Sequence, residues 1–282
     1  MDEREKFVDL HVHTTFSDGT FTPEEVVKYA KDVELSAVAI TDHDSVDGIL
    51  PAIAAAKDSS LEIIPGVELT AEYNDFEVHI LGLLIEWNSP WFADKLKEIR
   101  IARYERMKRM IEKLNAKGID IALDDVLAFS GADGALGRLH LARALNEKGI
   151  VKSIKEAFDR FIGKNKPCFE KRMIISPEEA LTMVNHLKGI SVLAHPGLMM
   201  HDEIIPELVQ QGLKGIEVLH TDHKDKSALH YRTLAKKYRL LMSGGSDCHG
   251  EGKGMPLMGW IKVPYILLEN LKLAKNKCYG HE

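Results

Sequence analysis

Phe7-Val8-Asp9-Leu10-His11-Val12-His13 sets two histidines one residue apart at the end of an apolar run. On an extended strand, residues i and i+2 face the same side, so both imidazoles aim at one point. Two neutral imidazoles converging there make half of a divalent-cation site. Four more apolar runs end in the same kinds of residue: Ala39-Ile40-Thr41-Asp42-His43, Gly66-Val67-Glu68, Val192-Leu193-Ala194-His195-Pro196 and Gly244-Gly245-Ser246-Asp247-Cys248-His249. Repeated at successive strand ends, this pattern predicts a metal centre assembled around a barrel mouth.

Working outward, the first strand is expected over Phe7–His13, followed by a helix whose start is written in Thr22-Pro23-Glu24-Glu25. Thr22 serves as N-cap, Pro23 suits the first helical position, and Glu25 completes a capping box. Further strands are expected over Ala37–Thr41, Glu62–Leu69 and Val78–Ile85, with a helix near Ile49–Lys57. From Pro90 to about Lys117 the period changes to that of one long helix, with Leu96, Ile99, Met107, Met110, Ile111 and Leu114 on one side and Gly118 as its C-cap. Helical segments around Leu139–Lys148 and Ile154–Phe161 follow. Ser176-Pro177-Glu178-Glu179 is a second capping box that returns the chain to alternation. The remaining strands are Ile190–Ala194, Gly215–Leu219, Leu240–Ser243 and a short Trp260–Val263 before a C-terminal helix. Strands separated by helices imply parallel pairing, and seven such units imply a barrel with its chemistry at the C-terminal strand ends. The expected architecture is therefore α/β: residues 1–90 and 176–282 form a distorted (β/α)7 barrel, and 91–175 a helical insertion.

With 282 residues, 45% of them hydrophobic and 28% charged, the chain can bury one substantial core plus a modest insert. Its polar start, Met1-Asp2-Glu3-Arg4-Glu5-Lys6, reads as lacking a secretory leader, and no run of 18 apolar residues would span a membrane. Cys168, Cys248 and Cys278 form no spaced framework and suggest a reducing, cytoplasmic setting. Cys248 alternates with Asp247 and His249 and is read as a buried thiol. The net charge of −6 argues against a general nucleic-acid binder and against stable binding to a duplex. That average hides an asymmetry: residues 91–175 carry 19 Lys and Arg against 12 Asp and Glu, whereas the rest carries 18 against 31. An acidic shell that holds cations, beside a basic insert, suits an anionic substrate.

In order, His11-Val12-His13-Thr14-Thr15-Phe16-Ser17-Asp18-Gly19, Thr41-Asp42-His43-Asp44, Gly66-Val67-Glu68, Val78-His79-Ile80-Leu81-Gly82, Ala194-His195-Pro196 and Ser246-Asp247-Cys248-His249 resemble the polymerase and histidinol phosphatase (PHP) family over nearly the whole chain. The resemblance implies a distorted seven-stranded barrel and a phosphoesterase holding two to three divalent ions, drawn from manganese, iron or zinc. By resemblance, His11, His13, Glu68 and Asp247 hold the first ion. Glu68 bridges to a second, completed by His79 and His195, and Asp18, His43 and His249 hold a third. All nine ligands, six of them histidine, are present. Adjacent ions of this kind lower the pKa of a shared water toward neutrality and stabilise the charge of an in-line displacement on phosphorus, with Glu68 and Asp247 in catalytic positions.

His186, His201, His230 and His281 are read as surface or structural. Of His220 and His223, which follow the sixth strand, one is expected to face the site as a phosphate contact or leaving-group acid, and His223 is favoured because a histidine in this loop resembles a family substrate contact. Glu217 is read as a barrel-interior partner. In the insert, the Gly137–Leu145 segment and the basic Phe161–Arg172 loop resemble the branch that removes the 3′-phosphate of nucleoside 3′,5′-bisphosphates, with relatives trimming short RNA from the 5′ end. Arg138 and Lys171 are the expected ligands of the second phosphate, since arginine binds phosphate bidentately and lysine as a point charge. His140 is expected to point elsewhere on its helix. The implied substrate is a small phosphorylated nucleotide or short oligonucleotide. The alternatives are a histidinol-phosphate phosphatase and a non-catalytic metal-binding module.

Overall fold

The computed structural model describes residues 5–74, 76–130, 136–171, 175–252 and 254–280. Arg172 and His281 lie outside the described residues. Among those residues eight strands form one sheet: β1 (Phe7–Asp9), β2 (Ala37–Ile40), β3 (Glu62–Tyr73), β4 (Phe76–Leu83), β5 (Ile190–Leu193), β6 (Gly215–His220), β7 (Leu241–Gly245) and β8 (Val263–Pro264). They lie in the order β7-β6-β5-β4-β3-β2-β1-β8. The sheet curls until β7 meets the continuation of β1: Leu10 N–H donates to Gly244 O, Asp247 N–H to His11 O and His13 N–H to Cys248 O. The result is a nearly closed barrel. The first strand is shorter than expected because residues 10–13 are stitched to 244–248 by these single bonds.

Helices α1 (Pro23–Asp32), α2 (Ile49–Ala56), α7 (Pro177–His186), α8 (Pro196–Met199), α9 (Ile205–Gln210), α10 (Asp225–Tyr238) and α11 (Tyr265–Tyr279) surround the sheet. Between β4 and α7 run α3 (Pro90–Asn115), α4 (Leu123–Leu127), α5 (Arg138–Glu147) and α6 (Ile154–Ala157), the last continued by a wider turn over Phe158–Ile162. Both capping boxes form: Thr22 and Ser176 accept from the main chain of Glu25 and Glu179, whose carboxylates reach back.

Pairing corrects one expectation. β1 with β2, β2 with β3, β5 with β6 and β6 with β7 are parallel, but β4 is antiparallel to both neighbours. No helix separates β3 from β4; Asn74, at φ 43°, turns the chain into a hairpin that aligns Thr70 with His79. His79 therefore reaches the C-terminal face of the barrel from the early part of a reversed strand, not from a strand's end.

Buried hydrophobic residues gather in three clusters, one of them Val8, Leu10, Ile64, Leu81 and Leu268. Val26, Ile49, Val67, Val184 and Leu208 belong to a large cluster between sheet and helices, which also takes Phe92 and Leu96 from the start of α3. Met107, Met110, Leu114, Leu141, Leu145 and Ile162 form a cluster of their own. Thus α3 is rooted in the barrel core and carries the second cluster on its far half. No helix among the described residues is long and apolar enough to cross a membrane.

Candidate metal centre

Glu68 is the hub. Fully buried on β3, it turns Oε1 toward His79 Nδ1 (2.8 Å) and His195 Nε2 (3.1 Å). Its Oε2 faces His11 Nε2 (3.3 Å), His13 Nε2 (3.1 Å) and His43 Nδ1 (3.0 Å). Asp247 Oδ1 lies 3.5 Å from His11 Nε2 and 3.2 Å from His13 Nε2. Asp18 Oδ1 lies 3.1 Å from His249 Nε2, and the His13 ring stacks on His249 with centres 4.2 Å apart. All nine residues expected at the site are brought together. The sets share more than anticipated, since His43 touches Glu68 as well as the Asp18 group, and His13 borders both.

Local sequence explains this convergence. His11 and His13 alternate with buried Leu10 and Val12 and so share a face. The buried carboxylate of Asp42 accepts from Thr14 N–H (2.7 Å), Thr14 Oγ1–H (2.7 Å) and Ser17 Oγ–H (2.6 Å), folding residues 14–17 so that Asp18 returns to the cluster. Asp247 adopts φ 54° and His195 φ 26°, both in the left-handed region. Glu217, buried on β6, lies 3.2 Å from His11 Nδ1 and accepts His195 N–H at 2.7 Å.

Electrostatics favour a cation here. Burial alone would raise Glu68, but His43, His79 and His11 hold its carboxyl well below the usual carboxylate range. Asp18 behaves alike: burial is outweighed by His249 and His43. Burial would lower His13, yet Asp247 and Glu68 push it up to about 9. Moreover, His11 Nε2, His13 Nε2, Asp18 Oδ1, His43 Nδ1 and Glu68 Oε2 are buried, approach one another and make no hydrogen bond. Imidazole nitrogens and carboxylate oxygens gathered so closely fit divalent ions, and the mixed set suits first-row transition metals.

A cleft of about 370 Å³ opens onto Asp18, His43, His79 and His249 and is walled by the insert through Arg103, Arg106, Arg138 and Phe158. Arg138 lies 2.7 Å from Glu77, with its guanidinium 5.7 and 5.6 Å from the Phe158 and Phe169 ring centres. Lys171 is not among the cleft-lining residues; it is exposed, 2.9 Å from Glu72. His223 has a different post from the expected one. Its Nδ1–H donates to Val218 O (3.0 Å) and its Nε2 accepts Gly197 N–H (3.1 Å), so neither nitrogen is left for a phosphate or a leaving group.

Arg103 and Arg106 on α3 also line the cleft. In the structure Arg103 forms a buried ion pair with Asp44, its Nε donating at 2.8 Å, and Arg106 Nε donates to Glu170 O. His140 is buried, and its Nδ1 accepts Gly137 N–H. Cys248 is the buried thiol expected.

The barrel with this cluster at its mouth defines a metal-dependent hydrolase of phosphoesters. Residues 9–214 match the PHP domain, and the chain belongs to that family. It is 34% identical over 252 residues to the 3′,5′-nucleoside bisphosphate phosphatase of Chromobacterium violaceum, covering 88% of each protein. It is 31% identical to the phosphoribosyl 1,2-cyclic phosphate 1,2-diphosphodiesterase of Eggerthella lenta, over 91% of this chain and 98% of that one. Similarity to the Escherichia coli 5′-3′ exoribonuclease Rnm is 31%, over 86% of this chain and 84% of that protein. Among solved structures, one described as a metal-dependent phosphoesterase from Bifidobacterium adolescentis superposes with TM-score 0.88 at 31% identity, covering 96% of both chains.

Proposed function

We propose that the protein removes the 3′-phosphate of nucleoside 3′,5′-bisphosphates, with short RNA trimmed from its 5′ end as a related activity, and that it works in the cytoplasm, where its three free thiols would persist. The observation that carries this reading is Arg138 on the wall of the cleft that ends at the histidine cluster: one mouth offers a cation-binding floor and, apart from it, a fixed guanidinium. The relatives named as a bisphosphate phosphatase and an exoribonuclease agree with it.

His11, His13, Glu68 and Asp247 would hold a first ion, Glu68, His79 and His195 a second, and Asp18, His43 and His249 a third, each manganese, iron or zinc. Such ions supply an acidified water and charge neutralisation for the phosphoryl group. The chain supplies the rest. Glu68 gathers five imidazoles around one carboxylate, and Glu217 fixes which nitrogen of His11 faces it. Arg138 offers a planar fork to the phosphate that does not react, held in place by Glu77 and the faces of Phe158 and Phe169. Lys171, on the exposed side, would meet a longer substrate.

A phosphate-release screen on the purified protein, before and after chelation, tests this reading. It should cover a nucleoside 3′,5′-bisphosphate, 5′-phosphorylated short RNA, phosphoribosyl 1,2-cyclic phosphate and histidinol phosphate. The bisphosphate should turn over fastest, yielding the nucleoside 5′-monophosphate. A preference for histidinol phosphate or the cyclic phosphate would reassign the substrate, and no release from any of them would leave a non-catalytic module.

A further inference from the structure

We infer that His223 is a positioning residue, clamping the turn that presents His195 to the second cation subsite. The inference rests on the reading of His195 as a ligand there.

His195 leaves β5 at φ 26° and ψ 55°, a backbone region that a non-glycine residue keeps only when its surroundings enforce it. Two bonds do so, one to β6 and one to the loop that follows it. Glu217 accepts the N–H of His195. Pro196 has no N–H, so the next main-chain donor of the turn is Gly197, and His223 Nε2 accepts it. The tautomer is determined by the other end of the ring: Val218 O can only accept, so Nδ1 carries the hydrogen and Nε2 the lone pair. Because Glu217 and Val218 are adjacent, one short stretch of β6 holds both points of the turn.

The remaining contacts hold the ring itself. His223 is 8% exposed and stacks on Tyr231 with centres 5.0 Å apart, and Tyr231 OH donates to Asp202. Gly197 is glycine for a local reason: a Cβ there would sit 2.8 Å from both Nε2 and Cδ2 of His223. A ring so enclosed transmits position. If it is lost, the strained His195 backbone can relax and swing the imidazole away from Glu68.

The test counts ions in the full-length protein loaded with manganese, using elemental analysis and titration, and compares His223→Leu with His223→Gln. The leucine fills the space but neither donates nor accepts. The glutamine amide can do both. The leucine variant should bind one ion about 10- to 100-fold more weakly, the usual effect of removing a group that orients a ligand, while the other sites keep theirs. Glutamine should restore most of that affinity. Leucine and parent binding alike, or glutamine failing as badly as leucine, would overturn the clamp. Should the leucine variant not fold by circular dichroism, Gly197→Ala decides: loss of the same ion supports the clamp, and its retention overturns it. His195→Ala separates this from the underlying reading, because a parent whose ion count does not fall on that change never used His195 as a ligand.

Discussion

Glu217 and His11 meet wholly inside the barrel, with a carboxylate oxygen 3.2 Å from the imidazole Nδ1 and both side chains fully buried. The carboxylate thereby dictates that Nε2 is the nitrogen turned toward Glu68 and Asp247. It also accepts the His195 amide, so one residue serves two of the proposed ligands. An amide offers only one acceptor atom and would set its NH2 against one of these two N–H groups. Glu217→Gln should therefore weaken ion binding by about tenfold or more, toward the upper end of the 10- to 100-fold range for such partners. Titration of the chelated protein with manganese or zinc checks this, and unchanged affinity would show that His11 needs no such partner.

Arg138 gives a prediction about selectivity. A charge-assisted contact to phosphate is worth about 1.5–3 kcal/mol. Arg138→Ala should thus lower kcat/KM for a nucleoside 3′,5′-bisphosphate roughly ten- to a hundredfold. The corresponding 3′-monophosphate should hardly change, having no second phosphate to anchor. Equal losses on both substrates would assign Arg138 to the reacting phosphate or to packing against Phe158 and Phe169.

The insert is tied to the barrel by the buried pair of Arg103 and Asp44. Replacing Arg103 with Met removes the cation from a buried carboxylate that keeps its bond from Thr70 N–H, at a cost of about 3–5 kcal/mol. For a chain of this size that corresponds to a fall in Tm of about 10 °C. The double variant Arg103→Met with Asp44→Leu should recover part of it. If the single variant melts like the parent, the pair contributes nothing net to docking.

His140 should leave a signature in pH. Burial holds it at about 4, below the ordinary 6.5, so the folded chain keeps it neutral where the unfolded chain binds a proton. Its contribution is intact above pH 6.5 and is lost as pH falls toward 4. Glutamine keeps an acceptor for Gly137 N–H but does not titrate. The Tm advantage of the parent over His140→Gln, measured on chelated protein, should shrink from pH 7 to pH 5. A constant gap would mean that His140 takes up its proton in the fold as readily as in the unfolded chain.

Much of this was legible before any coordinates. His-x-His, the Asp and His pairs at strand ends and both capping boxes are local patterns, and local geometry carries them intact into the fold. What escaped was relational. The direction of β4 depends on a hairpin at Asn74, and the alternation of Val78–Leu83 reads the same whichever way the strand runs. Arg103 and Arg106 carry no mark distinguishing a docked helix face from a wet one. His223 sits in the expected loop, but whether its nitrogens face a substrate or the main chain is decided by Gly197 and Val218, which belong to other elements. Glu217 was placed inside the barrel by its position on a strand, and only tertiary packing gives it His11.

The seam between the continuation of β1 and β7 carries a consequence for how the molecule holds together. From β1 round to β7 neighbouring strands pair in ladders; here single bonds bridge residues 10–13 and 244–248. His11 and His13 stand on one lip of that gap, Asp247 and His249 on the other. An ion held between the lips would fasten near-opposite ends of the polypeptide, so that loading with ion and closing the wall would become one event, linked by mass action. Depleting the ion would then do more than silence the site. It would unlatch the cylinder along this line, and slow amide exchange at Leu10, His13 and Asp247 should become fast before that of β2 or β3.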